Sequence, residues 1–180
     1  MDRLLRNLNL PYLKFVTVKG LKKEDVHIQV NGTVNNTTLP AVLGHLPLSD
    51  GPFTIDTDGR EFKLSGKGYL GGTPIDLNWH QFLRAVEGDP YLRRIEAKTR
   101  ASLPLQKIFG LDLTGFTSDE IPVDVVHVKK TESLASLDVN ADLSPVALSI
   151  NFFDYMKEKD KKAQLQFQAD LLNEKIKSIS

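Results

Sequence analysis

One stretch of this sequence matches a phosphate-binding motif to the letter. Gly66-Lys67-Gly68-Tyr69-Leu70-Gly71 has the GxGxxG spacing of a dinucleotide site, where a helix must begin at the glycines so that its amides face the pyrophosphate. Here Gly72-Thr73-Pro74 leads instead into alternating apolar and polar residues, the pattern of a strand. We therefore expect these glycines to lie at bends of twisted strands, and we expect no cofactor.

Candidate metal ligands do not form a complete set. Asp56-Thr57-Asp58-Gly59 resembles the opening of a calcium loop, but no third ligand or closing glutamate follows at the required distance. The histidines, His27, His45, His80 and His127, have neither HxxxH nor HExxH spacing. We expect no metal site, and we expect the histidines to be structural or solvated.

Catalytic groups are equally sparse. The sequence has no cysteine, so a thiol nucleophile is excluded, and no serine lies in a GxSxG elbow. Asp119 and Glu120 are adjacent carboxylates near the proline of a turn, with nothing to raise the pKa of one of them selectively. We therefore expect a protein that is not an enzyme.

The composition fits one folded domain. Of the 180 residues, 41% are apolar and 26% are charged, and 23 Lys and Arg balance 23 Asp and Glu. Because there is no net field or basic run to attract a phosphate backbone, nucleic acid is not an expected partner. No stretch approaches the roughly 18 apolar residues that a transmembrane helix needs, so we expect any membrane anchor to lie outside this chain.

Alternation of apolar and polar residues is the dominant pattern, and it predicts strands with one apolar side. It recurs over residues 26–34, 53–55, 61–65, 75–79, 95–103, 121–130, 137–143 and 146–152. Asp58-Gly59 between two alternating runs predicts a hairpin. Thr131-Glu132-Ser133 predicts a second hairpin.

The region from Tyr155 to Lys177 admits two interpretations. Its Lys, Glu, Gln and Leu residues are good helix formers. However, Ala163, Leu165, Phe167, Ala169 and Leu171 lie at a strict spacing of two, which favours strand, then a turn at Asn173-Glu174, then a strand over 175–180.

The expected fold is mainly β: an antiparallel, strongly twisted sheet of around nine strands with one or two short helices. The helices are predicted over 79–86 and over 104–109, where a proline stands near the start and Gly110 follows the end. The apolar side of such a sheet must be covered. The sheet can form a sandwich, close into a partial barrel, or stay an open trough covered by a ligand or by neighbouring segments.

Several short motifs occur in a characteristic order. They are Leu48-Ser49-Asp50-Gly51-Pro52-Phe53, the segment from Gly66 to Trp79, and residues 109–113, 121–125 and 137–148. In this order they resemble the central domain of the AsmA-like, YhdP-type envelope proteins of proteobacteria, over residues 25 to 172. The Lys-rich connection over 155–162 is more charged than this family leads us to expect.

The resemblance implies a function without catalytic residues. Residues 1–180 would be a single β-rich segment, a fragment of a longer protein that is anchored in the inner membrane and extends into the periplasm. Such proteins are associated with phospholipid transport or outer-membrane lipid homeostasis. The implied partners are phospholipid and the neighbouring segments of the same long chain.

The apolar positions of the alternating runs are the candidate lipid-facing residues. They are Ile75, Leu77, Trp79, Ile95, Ala97, Leu137, Val139, Leu148 and Ile150. In an open trough they would shield acyl chains. In a closed core the same residues would pack against one another, and the chain would be a β-sheet scaffold or an interaction module whose edge strands pair with other segments.

Overall fold

The computed structural model describes residues 29–43, 46–102, 120–150, 154–173 and 175–180. This part of the chain is mainly β, as expected, with thirteen strands and no helix. The first seven are β1 (Val30–Val34), β2 (Thr37–Leu43), β3 (Leu46–Asp50), β4 (Phe53–Thr57), β5 (Glu61–Leu70), β6 (Thr73–Phe82) and β7 (Arg93–Ala101). The others are β8 (Ile121–Lys129), β9 (Leu134–Asp142), β10 (Leu148–Ile150), β11 (Tyr155–Lys157), β12 (Gln164–Leu172) and β13 (Lys175–Ile179).

Eleven of these strands form one antiparallel sheet, while β10 and β11 pair as a separate two-stranded sheet. The order in the large sheet is β1-β4-β5-β6-β7-β8-β9-β12-β13, and β3 pairs with both β2 and β5. Neighbours in the sheet are therefore mostly neighbours along the chain, the arrangement that short connections favour. Over the described residues, the sheet does not close into a barrel.

The first hairpin of the sheet has two arms, one formed by β1 and β2 and the other by β3 and β4, and the strand is interrupted in each arm. Asn36, between β1 and β2, has a φ of 49°, and Asp50 and Gly51, between β3 and β4, have φ values of 68° and 112°. Such left-handed conformations interrupt extended backbone. Both halves of the second arm still pair with β5, with Leu48 opposite Leu70 and Phe53 opposite Gly66.

The two predicted hairpin turns are confirmed. Asp58 accepts hydrogen bonds from the backbone amides of Glu61 and Arg60, both at 2.8 Å, in the turn between β4 and β5. These bonds hold the pKa of the Asp58 carboxyl below its ordinary value. Between β8 and β9, the Thr131 hydroxyl accepts a 3.0 Å bond from the Leu134 amide.

The strand prediction for the C-terminal region is also confirmed. β12 pairs with β9 over its whole length, from Gln164 opposite Asp142 to Leu172 opposite Leu134. The chain turns at Asn173, whose φ is 52°, and returns as β13. Pairing along a full strand outweighs the helix propensity of the Lys, Glu and Gln residues. Within 155–162, only Tyr155–Lys157 is strand, as β11.

The helix predicted over 79–86 is wrong. β6 continues to Phe82, and Trp79 is paired with Leu64 on one side and Ile95 on the other. Two ladders of backbone hydrogen bonds therefore decide the conformation of this segment, and local propensity does not. The helix predicted over 104–109, the strand residues 26–28, and the motif over 109–113 lie outside the described residues, as do His27, His45 and Asp119.

Two clusters of buried apolar residues form the core. The first comprises Leu46, Leu48, Phe53, Leu64, Leu70, Ile75 and Leu77. The second comprises Ala101, Ile121, Val123, Val125, Val139, Ala141 and Val146. Val146, 1% exposed, follows β9 and packs against that strand and β8 from outside the large sheet. The connection that carries the small sheet therefore covers part of the large one.

Candidate functional site

One side of the large sheet is apolar across its neighbouring strands. In one row of cross-strand partners, Leu77 lies opposite Ala97, Ala97 opposite Val125, Val125 opposite Val139, and Val139 opposite Phe167. Because alternate residues of a strand share one side, this register places the apolar positions of five strands together. We call this side the apolar face and the opposite side the polar face.

Most of the predicted lipid-facing residues lie on the apolar face. They are Ile75, Leu77 and Trp79 of β6, Ile95 and Ala97 of β7, and Leu137 and Val139 of β9. Leu148 lies instead in the small sheet and packs against the second core cluster, so it covers the apolar face and is not part of it. Ile150 ends β10, and its side chain lies outside the described residues.

Burial changes along the apolar face. Toward one end, Leu48, Leu70 and Ile75 are at most 6% exposed. Toward the other end, Trp79 and Ile95 are only partly buried. We call the first the closed end and the second the open end. Three further residues of the open end, Ile55, Phe62 and Leu137, are also only partly buried. From β4 to β9, the described structure therefore leaves apolar surface accessible at one end of the face.

The open end also carries the basic residues of this face. Arg93 lies on the same side of β7 as Ile95 and Ala97. His127 and Lys129 lie on the same side of β8 as Val125. Lys129 lies directly opposite Arg93, and His127 lies opposite Ile95. The Arg93 guanidinium carbon is 5.7 Å from the centre of the Trp79 ring, which confirms that the arginine lies against the apolar face.

The strands β4 to β9 place all their carboxylates on the polar face. The acidic residues are Asp56, Glu61, Asp76, Glu96, Asp124, Asp138 and Asp142, and each alternates with the apolar positions of its strand. Here cross-strand charges are complementary: Lys67 lies 3.8 Å from Asp76, and Lys98 lies 3.6 Å from Asp124. The two sides of the sheet therefore differ in charge as well as in polarity.

A cluster of titratable side chains lies on the polar face near the turn between β4 and β5. The two ring nitrogens of His80 lie 2.8 Å from the Tyr91 hydroxyl and 3.1 Å from a Glu61 carboxylate oxygen. A 3.0 Å ion pair with Lys63 is the main reason why the pKa of Glu61 is lowered. Because Tyr91 belongs to the connection after β6, these bonds hold that connection onto the sheet.

Other candidate sites are weaker. A depression of about 390 Å³ on the polar face is lined by groups that include Asp124, Asp138, Asn140 and Gln166. In the part of the chain that the structure describes, no three His, Asp or Glu side chains are placed to hold a metal ion. Over the same residues, no helix has both the length and the apolar character to cross a bilayer.

Comparison with known proteins found no matching family model, no matching curated protein and no matching solved structure. The apolar face therefore has to be interpreted from its own chemistry.

Sequence reasoning identified most of the apolar face but missed the basic residues at its open end. Arg93 continues the period-two alternation of Ile95 by two residues, and His127 and Lys129 continue that of Val125 by two and four residues. Extending the alternation to the ends of the two strands would have placed these basic residues on the apolar side. It could not have shown that Arg93 and Lys129 are directly opposed, because that depends on the register between β7 and β8.

Proposed function

We propose that this chain is a non-catalytic lipid-binding segment of an envelope protein, in which the apolar face shields acyl chains. The observation that carries the proposal is the apolar face itself: it extends across an unclosed sheet, is partly accessible at one end, and receives no carboxylate from β4 to β9. The resemblance to AsmA-like proteins supports a role in phospholipid transport or outer-membrane lipid homeostasis, in the periplasmic portion of an inner-membrane-anchored protein.

The energetics of apolar burial support this function. Fully covering one large apolar side chain is worth about 1.5–3 kcal/mol. Trp79, Ile95 and Leu137 are only partly covered by the described residues, so an acyl chain laid along them would gain part of this free energy. The polar face, with its paired charges, would remain in water.

The test compares one substitution on each face of the sheet. Ile95→Gln places an amide on the apolar face, while Val126→Gln places the same amide on the polar face of the adjacent strand, and both native residues are half-buried. Leu77→Asp is unsuitable because Leu77 is 3% exposed, and an unpaired buried carboxylate would unfold the protein. Circular dichroism would establish that both variants remain folded.

Native mass spectrometry and lipid extraction would then be applied to protein expressed in bacteria. We expect phospholipid to co-purify with the wild-type chain and with Val126→Gln, and to be reduced in Ile95→Gln because the amide must be desolvated against the acyl chain. A wild-type chain that is folded, free of lipid and unable to bind added phospholipid would overturn the proposal.

A second candidate function is favoured by the edge of the sheet. All five residues of β13 are exposed, including Ile176 at 56% and Ile179 at 64%. In the described structure β13 has a strand on one side only, β12. An edge of this kind can accept a strand from another segment or another chain, which is the behaviour of a scaffold or interaction module.

A further inference from the structure

Two basic residues face each other at the open end of the apolar face. Arg93 of β7 and Lys129 of β8 are direct cross-strand partners. Like charges at directly opposite positions of a sheet destabilise it. The arrangement therefore costs folding free energy, and the cost would be removed by an anion bound between the two side chains.

The contrast with the polar face shows that this sheet otherwise pairs opposite charges. Lys67 lies opposite Asp76, and Lys98 opposite Asp124. Each of these lysines has its carboxylate within 4 Å, at 3.8 Å and 3.6 Å. The Arg93 and Lys129 pair departs from this rule on the side where no strand from β4 to β9 supplies a carboxylate.

The contacts of the two cations leave one hydrogen-bond donor of Arg93 without a partner among the described residues. Arg93 stacks on Trp79, and its Nε is buried without a hydrogen-bond partner among the described residues. A guanidinium carries five N–H donors. Lys129 donates a 3.1 Å bond to Glu132, whose side chain is 89% exposed, so this ion pair is screened by water and can be replaced at little cost.

We propose that Arg93 and Lys129 bind the phosphate of an anionic phospholipid whose acyl chains lie along the apolar face toward its closed end. This inference rests on the proposed lipid-binding function and adds the headgroup class to it. An arginine and a lysine on adjacent strands suit a phosphate, because the guanidinium can form two parallel bonds to its oxygens and the ammonium a third. Trp79 and Ile95 would contact the first part of the acyl chains.

The chain contains a single tryptophan, and its position makes it a reporter for this site. Trp79 contacts the Arg93 guanidinium and packs against the first core cluster. Lipids with brominated acyl chains quench a tryptophan that they contact. Titration midpoints for brominated phosphatidylglycerol and brominated phosphatidylcholine therefore compare an anionic with a zwitterionic headgroup at the same apolar surface.

The decisive variant is Arg93→Gln combined with Lys129→Gln, and its matched control is Lys67→Gln combined with Lys98→Gln. Both change the net charge by the same amount, but the control residues lie on the polar face. We expect the wild-type chain and the control to bind phosphatidylglycerol at least about tenfold more tightly than phosphatidylcholine. Both lipids carry the phosphate, but the choline ammonium of phosphatidylcholine brings a positive charge close to Arg93 and Lys129, which weakens its binding. The decisive variant should bind the two lipids equally.

A single substitution should act in the opposite direction. Glu132→Gln releases Lys129 from its ion pair, so we expect it to tighten phosphatidylglycerol binding while leaving phosphatidylcholine binding unchanged. Glycerol phosphate should compete weakly, because it lacks acyl chains. Strong competition by it, or equally tight binding of oleate, would overturn the assignment of a phospholipid in favour of a free phosphate or a fatty acid.

The outcomes separate the two proposals. Equal wild-type affinity for both phospholipids would overturn the headgroup site but leave the lipid-binding function standing. The same holds if the anionic preference survives in the decisive variant. Quenching of Trp79 by neither lipid, in a folded wild-type chain, would overturn both.

Discussion

Phe53 and the backbone oxygen of Pro52 explain why two glycines of the GxGxxG stretch are glycines: a Cβ at Gly66 would meet that oxygen first, and a Cβ at Gly68 would meet the Phe53 ring. The Phe53 side chain is fully buried, and its ring lies over the backbone of Gly66 and Gly68 on the apolar face. β5 runs through the stretch to Leu70 and turns at Gly71 and Gly72. An aromatic ring packed on strand glycines is a known device of β-sheets. The motif thus reflects close packing of a ring on a strand. Glycine is often found in strands where other atoms approach the backbone this closely.

The residue-scale prediction concerns Gly68. A Cβ at this position would meet the Phe53 ring and lie 2.6 Å from the backbone oxygen of Ser49. Gly68→Ala should therefore lower the free energy of unfolding by about 1–3 kcal/mol, the usual cost of overpacking, as measured by urea denaturation. In a Phe53→Leu background the penalty should be smaller, since the ring is gone while the Ser49 oxygen remains. An equal penalty in both backgrounds would contradict the role given to the ring.

At the scale of elements, the small sheet is fastened by a buried lysine. Lys157 of β11 is 6% exposed, and its ammonium donates to the backbone oxygens of Val146 at 2.7 Å, Glu158 at 2.9 Å and Ser144 at 3.3 Å. These bonds hold β11 against the connection that brings Val146 onto the second core cluster. The Lys-rich segment over 155–162 therefore contributes a structural cation.

Replacing this cation should loosen the cover of the apolar face. Lys157→Met keeps the length of the side chain but leaves the Val146 carbonyl without its donor. We expect a loss of about 1–3 kcal/mol, the cost of an unsatisfied buried group. Lys159→Met, at an exposed position two residues later, should change stability by less than about 0.5 kcal/mol. Denaturant midpoints for the two variants make the comparison, and equal midpoints would show that the ammonium does not fasten the small sheet.

At the scale of the whole molecule, an unclosed sheet has edges that must be protected or used. β13 carries Lys175 and Lys177, and its pairing with β12 contains a bulge at the step from Asp170 to Leu171; these features discourage further strand pairing. However, Ile176 and Ile179 are paired with Leu171 and Ala169 of the apolar face and are exposed. The edge thus combines repulsive and attractive features, and their balance decides whether it pairs.

We expect this balance to give weak, concentration-dependent association. Ile176→Lys should abolish it, whereas Leu83→Lys, at a residue of similar exposure (52%) in the connection after β6, should not. Because salt screens the repulsion between edge lysines, the wild-type association should strengthen with ionic strength. Sedimentation velocity measures all three effects. A wild-type chain that stays monomeric at high concentration and high salt would remove the support for a scaffold function.

The sequence by itself determined the strand content and the composition of each side of the strands. Period-two alternation is a local property, and where an apolar residue occupies every second position only a strand can bury those residues together. This is why the hairpin at Asp58-Gly59, the turn after β8 and the strands of the C-terminal region could be predicted. Local propensity misled where it opposed pairing: Trp79 to Phe82 looked helical but belong to β6, which is held by ladders on both sides.

The tertiary structure decided what depends on residues far apart in the chain. Register placed Arg93 opposite Lys129, and Phe53 over Gly66 and Gly68. It also decided that the sheet stays unclosed over the described residues and that, from β4 to β9, the apolar face is buried at one end and partly open at the other. Alternation states which residues share a side, but it carries no information about which strands are neighbours or what covers them. Those properties arise only when the strands pair, because pairing sets the distances between their side chains.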